Sequence, residues 1–151
     1  MEEVGQLGEE FVNSHLEKLK SEAQITNFQW ESQDNAVSPF DFYYEQGGSK
    51  SLLDVKATNG DFERNIHISL PELQVMRDSA EPYYIYRVYE IVEGTAKLRI
   101  SKPMRTVAGA VLEILLRLPA GINSDGVSVS PSTLDFGAEV NLLMPDAVEQ
   151  A

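Results

Sequence analysis

The stretch SPFDFYYEQGGSKSLLDVK, residues 38–56, decides the fold and the candidate site, because it has the pattern of two short strands joined by a tight turn. The pair Gly47-Gly48 tolerates the positive φ that a two-residue hairpin loop requires. In that register Glu45 faces Lys50, and Asp41 faces Asp54. The first pair joins opposite charges and therefore supports the register. We predict strands over residues 38–45 and 51–57.

Strand alternation then separates an apolar face from an acidic one. Two acids directly opposite each other repel unless something neutralises them, and a bound divalent cation would do so. We expect the apolar face to pack into the core and the acidic face to form a site. The apolar face holds Phe40, Phe42, Tyr44, Leu53 and Val55, and the other holds Asp41, Tyr43, Glu45, Lys50, Leu52, Asp54 and Lys56.

Mg²⁺ prefers hard oxygen ligands and keeps several waters, so two carboxylates and one carbonyl suffice on the protein side. We predict that Asp41, Asp54 and the carbonyl of Val55 hold Mg²⁺ or Mn²⁺. Lys56 lies on the same side of the strand as Asp54, where its ammonium would orient or deprotonate the attacking water. The same pattern is also typical of a solvated strand face with a salt bridge.

Composition limits the class of protein. At 151 residues and 42% hydrophobic content, the chain suits one compact domain with its own core. It has no cysteine, which excludes disulfides and thiolate chemistry and suits a reducing compartment. No apolar run reaches transmembrane length, so we expect a cytoplasmic protein without membrane contact. The net charge of −12 argues against a broad electrostatic grip on nucleic acid.

The remaining pattern alternates helices and strands around the hairpin. Residues 2–20 carry an apolar stripe at helical spacing, and Glu9 borders that stripe, which makes Glu9 the candidate for a third acid. The segment Ser69-Leu70-Pro71-Glu72 is a capping box, so a helix should begin there and run to about Ala80. Further strands are expected over residues 25–30, 66–69, 83–91 and 96–100. The order predicts an α/β or α+β layer fold, with helices against a central mixed sheet.

The C-terminal third gives weaker patterns. An amphipathic helix is expected from Val107 to near Pro119, and residues 127–143 are expected to add a strand or to wrap the sheet edge. We therefore divide the chain into a core over 1–103, an extension packed on it over 104–144, and a tail over 145–151. Six basic side chains offer a phosphate-contacting surface or an ordinary scattered one: Arg64, Arg77, Arg87, Lys97, Arg99 and Lys102.

With these elements in order, the chain resembles the PD-(D/E)XK nuclease superfamily and specifically the NO VEIN C-terminal-like family. The matching stretches are GQLGEEF, SPFDF, LLDVKAT, HISLPEL and YYIYRVYEI, which together cover roughly residues 5–100. The chain departs from the family pattern by placing Ser-Pro-Phe before Asp41 instead of a direct Pro-Asp pair.

This resemblance implies a restriction-endonuclease-like core, divalent-metal chemistry and a nucleic-acid substrate, with DNA expected. It assigns Glu9 as the helix acid, Asp41 and Asp54 as the motif acids and Lys56 as the motif lysine. It also implies a place in restriction or defence systems, beside partner subunits or within a larger parent protein. Two hypotheses follow: a metal-dependent endonuclease, or a catalytically silent module of the same fold that binds nucleic acid or a protein partner.

Overall fold

The computed structural model describes residues 2–144, so the predicted tail over 145–151 lies outside the described residues. The helices are α1 (Glu2–Ser21), α2 (Glu31–Asp34), α3 (Leu70–Asp78) and α4 (Arg105–Leu115), with a 3₁₀ turn at Pro131–Thr133. The strands are β1 (Asn27–Trp30), β2 (Phe42–Gln46), β3 (Ser49–Ala57), β4 (Ile66–Ser69), β5 (Tyr83–Val92), β6 (Thr95–Ile100), β7 (Gly126–Val129) and β8 (Val140–Leu143).

Six strands form a central sheet in the order β1-β2-β3-β5-β6-β8, and β4 pairs with β7 in a second, two-stranded sheet. Strands β3 and β5 run parallel, while the other neighbours in the central sheet run antiparallel. The predicted central mixed sheet flanked by helices is confirmed. No helix within residues 2–144 has the length and apolar character needed to cross a membrane.

The hairpin has the predicted turn and register. Gly47 and Gly48 have φ of 56° and 88°, and Glu45 faces Lys50. Strand β2 begins at Phe42, however, and the prediction that it begins at 38 is wrong. The strand starts late because Pro39 has no N–H to donate to the neighbouring strand. In addition, the side chain of Asp41, and not a main-chain carbonyl, accepts the hydrogen bond from the Val55 amide.

One face of the central sheet is covered by α1. This face is apolar because α1 and the odd-numbered residues of β3 bring together buried side chains, among them Phe11, Leu16 and Leu53. Gly8 lies directly on β3: a Cβ built on it would stand 2.4 Å from the Cβ of Ala57. The close approach of α1 to β3 therefore requires glycine at position 8.

The opposite face is covered as well around Asp54, so it is not the solvated strand face that the same pattern also suggested. Leu52 packs in a second core with α3, α4 and β7, and Asp54 beside it is 4% exposed. Phe40, predicted to share a face with Phe42, packs against this second core instead, because the chain before β2 is a loop. Residues 104–144 supply much of this core, including Met104, and also supply the edge strand β8.

The helix start predicted at Ser69 is confirmed. The Ser69 hydroxyl accepts a hydrogen bond from the Glu72 amide, Glu72 in turn accepts one from the Ser69 amide, and Pro71 lies in the first turn. Helix α3 ends at Asp78 rather than near Ala80, since Ser79 is extended. Tyr83, Tyr86 and Tyr89 of β5 are buried, so they are core residues and not an exposed surface on which bases could stack.

Candidate functional site

Asp41 stands at the entrance of β2 and is fixed through its main chain. Its carbonyl accepts hydrogen bonds from the amides of Glu31 (2.7 Å) and Ser32 (3.1 Å), and its own amide donates to the Leu53 carbonyl at 2.9 Å. Its Oδ2 accepts from the Val55 amide at 2.7 Å. The side chain of Asp41 thus replaces a main-chain partner of β3, which directs the carboxyl toward Asp54.

Asp54 is the buried acid of the site. Burial raises the pKa of Asp54 well above its usual range, and the nearby charge of Asp41 raises it further, while the charge of Lys56 opposes the shift. The carboxyl groups of Asp41 and Asp54 lie within hydrogen-bonding reach of each other. The predicted juxtaposition of these two acids is therefore present, and without a cation the pair favours holding a proton.

Lys56 lies between two acids. Its Nζ is 2.7 Å from Asp54 Oδ2 and 3.0 Å from Glu72 Oε1, and its side chain is 17% exposed. Burial alone would lower the pKa of Lys56, but the charges of Asp54 and Glu72 raise it to about 12. Lys56 is therefore a cation at neutral pH and not a free base.

Glu72 is a site residue that the sequence analysis assigned only to a helix cap. Its Oε1 accepts the Ser69 amide at 2.9 Å and also accepts Lys56 Nζ at 3.0 Å, and its Oε2 accepts Lys56 at 3.2 Å. The capping box therefore holds the carboxylate in the position where it pairs with the lysine. The only sequence signal at Glu72 is the capping box itself, and a capping box does not indicate that its glutamate also contacts a lysine.

Tyr83 is a second residue that the sequence did not assign to the site. Its hydroxyl donates to the Pro39 carbonyl at 2.5 Å and so fastens the loop that carries Asp41. Burial raises the pKa of Tyr83, and the charges of Asp54, Glu72 and Asp41 raise it further. The hydroxyl remains protonated and acts as a donor.

Glu9 lies on α1, and its described hydrogen bonds lead to neighbours of the acid pair. Its Oε1 accepts the Trp30 indole N–H at 2.9 Å and the Ser32 hydroxyl at 2.6 Å. The Ser32 amide is one of the two, with that of Glu31, that donate to the Asp41 carbonyl. Glu9 is thus connected to Asp41 through Ser32, and among the described hydrogen bonds and ion pairs none joins it to Asp54 or Lys56 directly.

The residues fit a divalent cation in part. Asp54 Oδ2 is buried and, within residues 2–144, makes no hydrogen bond of regular geometry; the Lys56 ammonium lies 2.7 Å from it. One ammonium offsets only part of the cost of burying Asp54 beside Asp41, and a divalent cation between the two carboxyl groups would offset more of it. Over the same residues, no three histidine or acidic side chains are grouped to hold a metal. The site offers two carboxylates, and any further ligands have to come from the main chain, water or substrate.

The basic side chains expected to contact phosphate are mostly engaged within the protein. Arg87 is buried at 2% exposure, so its prediction as a surface residue is wrong. Arg77 pairs with Asp78, and Lys97 pairs with Glu90. Arg64 is exposed, and its side chain lies over Gly60. The described surface therefore carries fewer available cations than the count of basic residues suggests.

The molecule is a mixed-sheet α+β protein with a buried acid–lysine cluster where β2, β3 and α3 meet. Residues 8–101 match the family model described as Protein NO VEIN, C-terminal. The match covers more than half of the chain, and the protein belongs to this family. It includes Glu9, Asp41, Asp54, Lys56, Glu72 and Tyr83, and it ends before α4. No curated protein and no solved structure matches the chain.

Proposed function

We propose that this protein is a divalent-metal-dependent endonuclease that hydrolyses phosphodiester bonds in DNA, and that its family belongs to the PD-(D/E)XK nuclease superfamily. The observation that carries the proposal is the meeting of Asp41, Asp54 and Lys56 at one point of the sheet, with Asp54 buried. An acid pair that cannot ionise fully without a cation, beside a protonated lysine, suits a reaction on a phosphate ester.

Asp41, Asp54 and the Val55 carbonyl would hold Mg²⁺ or Mn²⁺ in this proposal. The bound ion would supply Lewis acidity at the phosphoryl oxygen and a more acidic water. The chain's own contribution is placement: the Val55 amide fixes Asp41, and burial between the sheet and α3 excludes water from Asp54.

Lys56 acts in the proposal as a cation. Because the charges of Asp54 and Glu72 raise its pKa to about 12, its ammonium donates hydrogen bonds and opposes charge that develops on phosphorus. Of the two roles expected from the sequence, orienting the attacking water is the one that this pKa supports, and removing the proton from that water is not.

In the proposal, Glu9 positions Asp41, because its hydrogen bonds join α1 to Trp30 of β1 and Ser32 of α2. The predicted role as a third acid stays a prediction, and the described contacts support a positioning role: Glu9 holds Ser32, and the Ser32 amide holds Asp41. A chain without cysteine suits the reducing cytoplasm, which is the compartment we propose. We also propose partner subunits or a larger parent protein, within a restriction or defence system, as the setting of the reaction.

A second candidate function is a catalytically silent module of the same fold that binds nucleic acid or a protein partner. The net charge of −12 favours it, because tight binding to DNA draws on lysine and arginine. The pairing of Lys56 with Glu72 favours it too, since an ammonium held by two carboxylates is less free to meet a phosphate.

Cleavage and metal binding together decide between the two functions. We expect the wild type to cut plasmid or oligonucleotide DNA with Mg²⁺ or Mn²⁺, and Asp54→Asn and Lys56→Met to lower the rate by about 100-fold or more with the fold retained. Asp125→Asn, at an exposed aspartate remote in sequence from the motif, is the matched control and should cut at the wild-type rate.

Calorimetric titration with Mg²⁺ and Mn²⁺ measures the ion directly. We expect binding to the wild type and its loss in Asp41→Asn. Metal binding without cleavage of any DNA tested would favour the silent module over the enzyme. The proposed metal site would be wrong if the wild type bound no metal and if the wild type, Asp54→Asn, Lys56→Met and Asp125→Asn all cut DNA at the same rate.

A further inference from the structure

Arg87 is the largest of the fully buried side chains among the described residues, at 2% exposure. It lies at the middle of β5, and the sheet register places it directly beside Lys56 of β3. Alternation along β5 points it to the same face as Ile85 and Tyr83, which is the face that carries Asp54. A permanently charged side chain therefore stands next to the candidate site, in the protein interior.

The position is unfavourable for an arginine that serves stability alone. On the neighbouring strand β6 its direct partner is Arg99, and like charges directly opposite each other are destabilising. Its Nε is buried without a hydrogen-bond partner within residues 2–144, and its described hydrogen bonds go to neutral carbonyls. Apolar side chains of similar volume often replace such buried charges at no cost in stability. The main-chain segments that Arg87 holds in place therefore explain an arginine at this position better than a contribution to stability does.

The two hydrogen bonds of Arg87 reach both ends of one loop. Nη1 donates to the carbonyl of Lys56 at 3.2 Å, and Nη2 donates to the carbonyl of Arg64 at 2.5 Å. The chain between these carbonyls leaves β3 just after the site lysine, and two residues past Arg64 it enters β4, which leads into α3 and Glu72. A planar guanidinium with a fork of donors suits this double contact, and a lysine ammonium does not.

We propose that Arg87 is a positioning residue for Lys56: it clamps the main chain at Lys56 and at Arg64, and so keeps the Lys56 ammonium between Asp54 and Glu72. The inference deepens the proposed function and rests on it for its catalytic consequence. Its structural consequence does not depend on any reaction. Without the clamp, the end of β3 and the start of β4 are free to shift relative to each other, and the ion pairs of Lys56 loosen.

The test compares Arg87→Met and Arg87→Lys with Arg99→Met as the matched control. Arg99 is the cross-strand partner of Arg87, and it also donates to two main-chain carbonyls, those of Gly137 and Phe136. Arg87→Met removes the buried charge and keeps the bulk, so we expect it to remain folded. Arg87→Lys keeps the charge and loses the fork, which separates the two contributions.

The first readout is the ammonium proton–nitrogen NMR resonance of Lys56 in the protein without substrate, identified by its absence in Lys56→Met. A shielded, ion-paired ammonium exchanges slowly enough to be seen. We expect this resonance in the wild type and in Arg99→Met, and its loss or broadening in both Arg87 variants. The second readout is steady-state cleavage, in which we expect the Arg87 variants to lose about 100-fold in kcat with KM nearly unchanged.

Retention of the Lys56 resonance and of kcat in both Arg87 variants would overturn the positioning role. Equal changes in the Arg99→Met protein would also overturn it, because the effect would then be general loosening of the sheet. If the wild type cuts no DNA but only the Arg87 variants lose the resonance, the proposed function fails while the positioning role stands.

Discussion

The two faces of the central sheet have different contents although both are covered by helices. The face under α1 is built from apolar and tyrosine side chains, with Leu16, Phe42 and Val88 at 0% exposure. The face under α3 and α4 carries every buried charged or polar residue identified within residues 2–144, namely Asp54, Arg87 and Ser101. Strand alternation keeps the two sets apart, residue by residue.

The face under α1 therefore mainly stabilises the fold, whereas the face under α3 and α4 also holds the candidate site. The face under α1 contributes apolar burial, at about 25 cal/mol per Å² of surface removed from water. The face under α3 and α4 loses part of that contribution to desolvated charges, which need partners to be tolerated. A face that retains such groups against their cost indicates a function at that face.

The largest expected effect on stability is overpacking of the face under α1. We predict that Gly8→Ala destabilises the protein by about 2 kcal/mol, because the new Cβ would stand 2.4 Å from the Cβ of Ala57 and force α1 off β3. Gly5→Ala, on the same helix with nothing within 4 Å of the new Cβ, is the matched control and should stabilise by about 0.5 kcal/mol. Denaturant unfolding measures both, and equal effects would contradict tight packing at position 8.

A smaller effect of opposite sign is expected on the other face. Because burial and the charge of Asp41 raise the pKa of Asp54, the folded state binds a proton more tightly than the unfolded state. Stability contributed by this group therefore falls as pH rises above about 3.9, the ordinary pKa of aspartate, until the folded-state pKa is passed. We predict that Asp54→Asn stabilises the metal-free protein at pH 8 by about 1 kcal/mol.

The pH dependence makes this prediction specific. The gain from Asp54→Asn should shrink as pH is lowered through 4 toward about 3, below the ordinary pKa of aspartate, where the wild-type carboxyl is largely protonated in both states. Thermal melts in EDTA at several pH values measure it, with Asp125→Asn melted alongside as the control. A variant less stable than the wild type at every pH would mean that Asp54 supports the fold, and would remove the contrast between the two faces.

The sequence predicted local features of both faces well. The Gly47-Gly48 turn, the pairing of Glu45 with Lys50 and the capping box at Ser69 each depend on residues close together in the chain, where side-chain chemistry decides the backbone. The meeting of Asp41 with Asp54 followed from the same hairpin. These parts of the site were therefore accessible from turn chemistry and strand alternation alone.

What the sequence missed depends on contacts between distant segments. Glu72 meets Lys56 across 16 positions, and Arg87 meets Lys56 across 31. Nothing in the local pattern of α3 distinguishes a capping glutamate from one that also binds a site lysine. The burial of the acidic face was missed for the same reason, because its cover comes from α3 and from residues beyond 103, whose docking is a tertiary event.

The smallest expected effects separate the two roles of Glu72. Ser69→Ala removes the cap acceptor and should cost about 1 kcal/mol without disturbing Lys56. Glu72→Gln keeps an oxygen for the Ser69 amide and removes only the charge. Asp54 Oδ2 already lies 2.7 Å from Lys56 Nζ, and the charge of Glu72 is a lesser cause of the raised pKa of Asp54, after burial and the charge of Asp41. Loss of that charge therefore favours Asp54 as the remaining partner of Lys56.

We therefore predict that Glu72→Gln lowers the free energy of unfolding by less than the roughly 1 kcal/mol expected for Ser69→Ala, because Asp54 remains as a partner for Lys56. Urea unfolding of the two variants at neutral pH gives the comparison. A larger cost for Glu72→Gln than for Ser69→Ala would show that Asp54 does not take over the pairing. The lysine would then depend on α3 for its partner, and the site would have to assemble together with that helix.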